Sequence, residues 1–93
     1  MWTVTVEVHE PEYMMTDRVA RSEDFAQALQ MASEAAESDV RSQTAYQGPE
    51  AADHYINLIN HAKDTVQPIA TRGGAWVESE ATRVRVQVRY SHR

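Results

Sequence analysis

The stretch that decides the fold is WTVTVEVHE, residues 2–10. Its apolar residues occupy every second position, and its polar residues occupy the positions between them: Trp2, Val4, Val6 and Val8 against Thr3, Thr5, Glu7 and His9. Because side chains alternate across a strand, this spacing predicts a β-strand with one apolar and one polar face. Pro11 ends the strand, since it has no N–H group to donate to a ladder.

The segment TRVRVQVRYSHR, residues 82–93, repeats the same pattern with a cationic polar face. Val84, Val86, Val88 and Tyr90 share one parity, and Arg83, Arg85, Gln87 and Arg89 share the other. We expect these two strands to pair near the centre of one sheet. Glu7 and His9 would then lie on the same open face as the arginines, where cross-strand Glu–Arg pairs stabilise by about 0.2–1 kcal/mol each.

The middle of the chain has the period of two amphipathic helices. The first runs from about Ser22, the expected N-cap, and buries a stripe with i, i+3, i+4 spacing: Phe25, Ala28, Leu29, Ala32, Ala36 and Val40. Gly48 and Pro49 then mark a break, because proline suits the first position of a helix. The second helix buries a stripe of its own: Ala52, Tyr55, Ile56, Ile59, Ala62 and Val66.

These elements predict an α+β fold, a two-layer sandwich. A mostly antiparallel sheet of 3–4 strands carries two helices on one face, in the order β(β)ααββ. AWVES, residues 75–79, is the expected third strand, whereas YMMTDRVA, residues 13–20, has too weak an alternation to decide. We expect one globular domain over residues 1–93, since this length supports one modest core.

Composition limits the classes of function. The chain has no cysteine, which excludes disulfides and cysteine-ligated metals, and its net charge is −5. No apolar run is long enough to span a bilayer, and the first residues have neither the basic nor the apolar region of a signal peptide. We therefore expect a cytoplasmic protein without a membrane partner.

Charge is unevenly distributed. Residues 22–66 carry eight carboxylates against two basic side chains, whereas residues 67–93 carry five arginines against two glutamates. The leading hypothesis is accordingly a small acidic, non-enzymatic protein-binding or regulatory module of the kind found as phage or mobile-element accessory proteins. Its acidic helix face would dock on a basic partner through Glu23, Gln27, Glu34 and Glu37. Homodimerisation is compatible with this hypothesis, through an exposed edge strand or the region of Tyr46 and Tyr55.

A second hypothesis is a nucleic-acid binder that uses an arginine face: Arg72, Arg83, Arg85 and Arg89. No aromatic residue interleaves with the arginines of the terminal strand, so the stacking platform of a single-strand binder is missing there. Arg72 belongs to TRGGAW, residues 71–76, which lacks the lysine and spacing of a P-loop. A turn followed by Trp76 as a core or interface anchor is the preferred interpretation of this segment.

A third hypothesis is a small enzyme or ligand-binding domain with a site between sheet and helices near Trp76. The sequence offers little for catalysis, since no serine lies in a nucleophile-elbow context. His54 and His61 are seven residues apart on one helix, about 10.5 Å, which is too far for one ion. We predict no catalytic residues, no cofactor and no metal.

Overall fold

The computed structural model describes residues 1–67, 74–78 and 82–91 and has an α+β fold. The elements follow the order β1 (Trp2–Glu10), β2 (Met14–Ser22), α1 (Phe25–Gln43), α2 (Pro49–Val66), β3 (Gly74–Glu78) and β4 (Arg83–Tyr90), with a short 3₁₀ turn at Ala45–Gln47. The strands form one antiparallel sheet in the order β2-β1-β4-β3. The predicted two-layer fold class and the central pairing of the first and last strands are confirmed.

Both helices cover the same face of the sheet. The valines of β1 and β4 predicted to be apolar are buried at 0–4 % exposure, and they form one core with the buried stripes of α1 and α2. α1 lies over β1 and β2, whereas α2 lies over β4 and β3. α1 approaches the sheet through small residues, Ala28, Ala32 and Ala36, and α2 contributes the larger Tyr55, Ile56 and Ile59.

The undecided segment after Pro11 is a strand, β2, which pairs with β1 over nine positions from Trp2–Ser22 to Glu10–Met14. Its buried side chains are Met14, Thr16 and Ala20, on the opposite parity from Met15 and Val19. The apolar residues of this strand are therefore divided between the two faces, which explains its weak pattern in the sequence.

The predicted helix start at Ser22 is wrong. Ser22 is the last residue of β2, where it pairs with Trp2, and the N-cap of α1 is Asp24. The Asp24 carboxylate accepts a hydrogen bond from the Ala26 N–H at 3.3 Å, and the Ser22 hydroxyl oxygen accepts one from the Asp24 N–H at 3.1 Å. Ser22 thus forms a hydrogen bond with the N-cap residue but is not the N-cap itself, because the strand pairing holds its backbone extended.

An aromatic cluster closes the core at the β1 amino end. The Trp2 ring lies 5.2 Å from that of Phe25 and 4.9 Å from that of Tyr90, measured between centroids. Beside it, the Met1 ammonium donates to the Ser91 carbonyl at 2.8 Å, and the Ser91 N–H donates to the Met1 carbonyl at 2.9 Å. The central β1–β4 ladder therefore continues one pair beyond the strand ends.

The β1–β2 hairpin turns at Pro11 and Glu12, and the Tyr13 N–H donates to the Glu10 carbonyl at 3.0 Å. Glu12 has a φ of 73°, a left-handed conformation that favours glycine. We expect Glu12→Val to lower the free energy of unfolding by about 1–2 kcal/mol, because a β-branched side chain adds a further clash at positive φ. Glu12→Gly should leave it unchanged within about 0.5 kcal/mol, because the relief of the strain at the Glu12 Cβ is offset by the larger backbone entropy that glycine loses on folding. Urea unfolding of the two variants checks this, and equal stabilities would contradict it.

Candidate functional site: the uncovered face of the sheet

The two helices leave one face of the sheet uncovered. We call this surface the open face. Over the strands whose side chains are described, it consists of the odd-numbered residues: Thr3, Thr5, Glu7 and His9 on β1, Met15, Asp17, Val19 and Arg21 on β2, and Arg83, Arg85, Gln87 and Arg89 on β4. All of them are exposed or half-buried, whereas the even positions of residues 4–8 and of residues 84–88 are buried.

The strand register sorts this face into rows. Thr3 pairs with Arg21 on one side and Arg89 on the other, so two arginines flank a threonine at one end of the face. The next row contains Val19, Thr5 and Gln87. We call these two rows the arginine end. Guanidinium groups beside hydroxyl and amide side chains can hold carboxylates through charge-assisted hydrogen bonds.

The other end of the open face combines charges of both signs. Glu7 lies between Asp17 and Arg85, and His9 lies between Met15 and Arg83. The register therefore confirms that Glu7 and His9 share a face with the terminal arginines. His9 contacts Asp17, with 3.1 Å between the His9 Nε2 and the Asp17 Oδ1 atoms.

Among the side chains that the structure describes, Glu7, His9 and Asp17 form the group that comes nearest to a metal site. One potential ligand atom of each lies within 4.8 Å of the others. A tetrahedral ion with ligands at about 2.1 Å needs ligand atoms about 3.4 Å apart, so the group would have to contract to bind one. The facing arginines oppose a cation further. Sequence reasoning missed this cluster because it depends on the β1–β2 register.

The histidines considered for a metal in the sequence, His54 and His61, are both exposed on α2. Neither belongs to a group of three potential metal ligands in the described parts of the chain.

The residues of the predicted acidic helix face occupy different settings. Glu23 precedes the helix and lies 3.5 Å from the Met1 ammonium. Gln27 accepts a hydrogen bond from the Ser22 hydroxyl at 2.7 Å, and Glu34 accepts one from the Gln30 amide at 3.0 Å. Glu37 is half-buried. The four side chains therefore do not form one uniform carboxylate surface on α1.

A further carboxylate of α1, Asp39, is tied to β2. The Arg18 guanidinium donates to both of its oxygens, at 2.6 and 2.7 Å, and the buried Thr16 hydroxyl donates to it at 2.5 Å. Hydrogen bonds from Arg18 and Thr16 lower the pKa of Asp39 to about 2, and the same contact raises the pKa of Arg18. The Arg18–Asp39 pair links α1 to the edge of the sheet, and no pattern in the sequence indicated it.

The arginines of the predicted nucleic-acid face divide into two groups. Arg83, Arg85 and Arg89 follow one another along β4 on the open face, as expected. Arg72 lies outside the described residues. Trp76 pairs with Arg85 in the β3–β4 register, and its role as an anchor stays a prediction.

An open groove of about 530 Å³ lies at the hairpin end, between the turn and the end of α1. Its lining includes His9, Tyr13, Met15 and Gln43. It does not lie at the position predicted for a ligand site, between sheet and helices near Trp76. Tyr55 lies close by but is buried, and its hydroxyl donates to the Glu10 carboxylate. Tyr55 is thus unavailable as a dimer contact, whereas Tyr46 is exposed.

Among the described helices, none is long and apolar enough to cross a membrane. No protein-family model matches this chain, and neither a curated protein nor a solved structure matches it.

Proposed function

We propose that this protein is a small non-enzymatic module that binds a protein partner on the open face, with the arginine end docking an acidic surface of that partner. The observation that carries the proposal is the row in which Arg21 and Arg89 flank Thr3 on the sheet face that neither α1 nor α2 covers. Charged rows of this kind favour a complementary partner and accelerate its association. A regulatory role follows if the partner needs the docked surface for another interaction.

The contacts of the helix layer make it the weaker docking surface. Glu23 and Glu34 already face local partners, and Asp39 is neutralised by Arg18. The acidic layer still supports the proposal, because it lies on the opposite side of the molecule from the arginine end. A polarised charge distribution orients an approaching partner before contact.

Nucleic acid is the second candidate ligand, and the presence of four arginines on the open face favours it. Two features of the same face favour a protein. Glu7 and Asp17 interrupt the cationic surface and would repel a phosphate backbone. Among the described side chains of the open face there is also no Phe, Tyr or Trp ring on which a base could stack.

The experiment places a photo-crosslinking amino acid at Thr5, in the centre of the open face, in the cells that produce the protein. The expected result is one defined crosslinked protein whose yield falls by about 10-fold with Arg89→Glu, because a rim charge contributes directly to docking. Arg41→Glu makes the same change on the exposed side of α1 and is the matched control. Circular dichroism verifies that both variants fold.

Two further measurements separate the alternatives. A second crosslinker at Gln30, an exposed position of α1, tests the helix face. A product at Gln30 that Glu34→Lys with Glu37→Lys removes, without a product at Thr5, would move the docking site to α1. Fluorescence anisotropy with a short single-stranded RNA and a short duplex DNA tests the second candidate at ~50 and ~200 mM salt. Salt-sensitive binding that Arg89→Glu weakens, without a crosslinked protein, would replace the proposal by nucleic-acid binding.

A further inference from the structure

The outer side of β2 is an edge with main-chain groups that point away from β1. Met15 shows this directly, because its N–H and carbonyl bond to the Gln43 side-chain amide of α1 at 3.3 and 2.9 Å. The Met1–Ser91 bonds agree, since they show that odd residues of β1 bond toward β4. Alternate residues of a strand point the same way, so the N–H and carbonyl groups of Asp17, Val19 and Arg21 also face the outer edge.

The side chains of these three residues have a self-complementary order. If a second copy of β2 pairs antiparallel with this edge and Val19 lies on the two-fold axis, Asp17 faces Arg21 of the second copy. Arg21 then faces Asp17 of the second copy, and the two Val19 side chains meet. Opposite charges at directly facing positions stabilise strand pairs, and a two-fold axis produces each favourable pair twice.

Neighbouring registers lack this match. An axis through Arg18 places that arginine opposite itself and Arg21 opposite Met15. An axis through Ala20 places Arg21 opposite Val19. Like charges facing each other destabilise a strand pair, so the register centred on Val19 is selected by charge as well as by apolar contact.

We propose that the protein forms a two-fold symmetric homodimer in which β2 pairs with β2 of a second copy over residues 17–21, centred on Val19. The pairing adds about six main-chain hydrogen bonds and joins two four-stranded sheets into one. Gln43 limits its extent, because it already satisfies the main-chain groups of Met15. Val19, 57 % exposed in the single chain, becomes buried at the axis.

Asp17 can serve this contact without leaving His9. Only its Oδ1 atom contacts the His9 Nε2, at 3.1 Å, and a carboxylate has lone pairs for several donors. The alternative explanation of the edge charges is that they keep single molecules apart, as charges on edge strands often do. The two explanations predict different results for a variant in which the charges of Asp17 and Arg21 are exchanged.

The test measures the dimer dissociation constant by analytical ultracentrifugation, up to a protein concentration of about 0.5 mM, at low salt. We expect a wild-type dimer, and Arg21→Asp and Asp17→Arg each weaken it by at least about 10-fold, because two like-charged pairs replace two favourable ones. The double variant Asp17→Arg with Arg21→Asp restores the wild-type value. Arg41→Asp, the same change on the exposed side of α1, leaves it unaltered.

A backbone variant tests the ladder itself. Val19→Pro removes an N–H group that faces the outer edge, a position where proline is tolerated within a strand. We expect a folded monomer, verified by circular dichroism. A wild-type protein that stays monomeric, single charge reversals without effect, or a double variant that fails to restore the dimer would each overturn the proposal.

Discussion

Ile59→Ala is expected to lower the free energy of unfolding by about 2–5 kcal/mol, the cost of removing a buried aliphatic side chain and leaving a cavity. Ile59 is 0 % exposed and has the largest volume among the fully buried side chains that the structure describes. A domain of this length has a total stability of about 5–14 kcal/mol, so the variant loses a large part of it. Thermal unfolding should show a decrease in Tm of at least about 8 °C, since 1 kcal/mol corresponds to about 4–8 °C in a domain of this size.

Leu58→Ala is the matched control, because Leu58 precedes Ile59 in the same helix but is only partly buried at the margin of the core. Both changes shorten a four-carbon side chain to alanine. We expect the loss at Leu58 to be less than half of the loss at Ile59. Equal losses would contradict the assignment of Ile59 to the centre of the packing between α2 and the sheet.

The elements that could be predicted from the sequence are those with one face entirely in the core. β1 and β4 lie at the centre of the sheet, so the inner positions between residues 4 and 8 and between residues 84 and 88 are buried in the core and have to be apolar. The same holds for the stripe of α2, where all six predicted residues are buried. In these elements burial determines the residue type at each position, so the strand or helix can be predicted from the pattern of apolar and polar residues in the sequence.

The edge strand β2 could not be predicted in this way, because its inner face is only partly apolar. Its inner face includes Arg18, whose guanidinium reaches the Asp39 carboxylate, and Thr16, whose hydroxyl is satisfied by the same carboxylate. These two polar residues at inner positions interrupt the alternation of apolar and polar residues that would identify β2 as a strand. Asp39 lies 21 residues from Arg18 and 23 residues from Thr16 along the chain, so the sequence around β2 does not indicate that these two polar side chains have a partner.

The residues of the candidate site also include some that could be predicted from the sequence and some that could not. The arginines of β4 were visible because they alternate with buried valines along one strand. Arg21, which completes the row with Thr3 and Arg89, was not visible, because its place follows only from the β1–β2 register. The His9–Asp17 contact also depends on this register, which the turn at Pro11 and Glu12 sets. Alternation thus determines which face a residue occupies, and register determines its neighbours.

The hydrogen bonds from Arg18 and Thr16 of β2 to Asp39 of α1 lead to a prediction about how stability depends on pH. Asp39→Asn should lower the free energy of unfolding at pH 7 by about 1 kcal/mol, because it removes the charge that Arg18 and Thr16 bind. The value is modest because the Arg18 side chain is 51 % exposed and water screens the pair. The folded-state pKa of Asp39, about 2, lies below the ordinary value of 3.8. The stabilisation is therefore complete above about pH 4 and is lost as the pH falls through 2.

Thermal unfolding of wild type and variant between pH 7 and pH 2 measures this difference. The gap in Tm should be constant down to about pH 4 and then shrink toward zero, because protonated Asp39 and the asparagine carry the same charge. Asp53→Asn, at an exposed position of α2, is the control for the general effect of removing a carboxylate, and we expect it to change the stability by less than about 0.5 kcal/mol. If the difference in Tm between wild type and Asp39→Asn is the same at pH 2 as at pH 7, the substitution acts through packing. The charge of Asp39 then does not stabilise the contact between α1 and the edge of the sheet. If the gap closes, acid weakens the contact between α1 and β2 while the valine core keeps its contacts, since none of the carboxylates whose burial is described is buried.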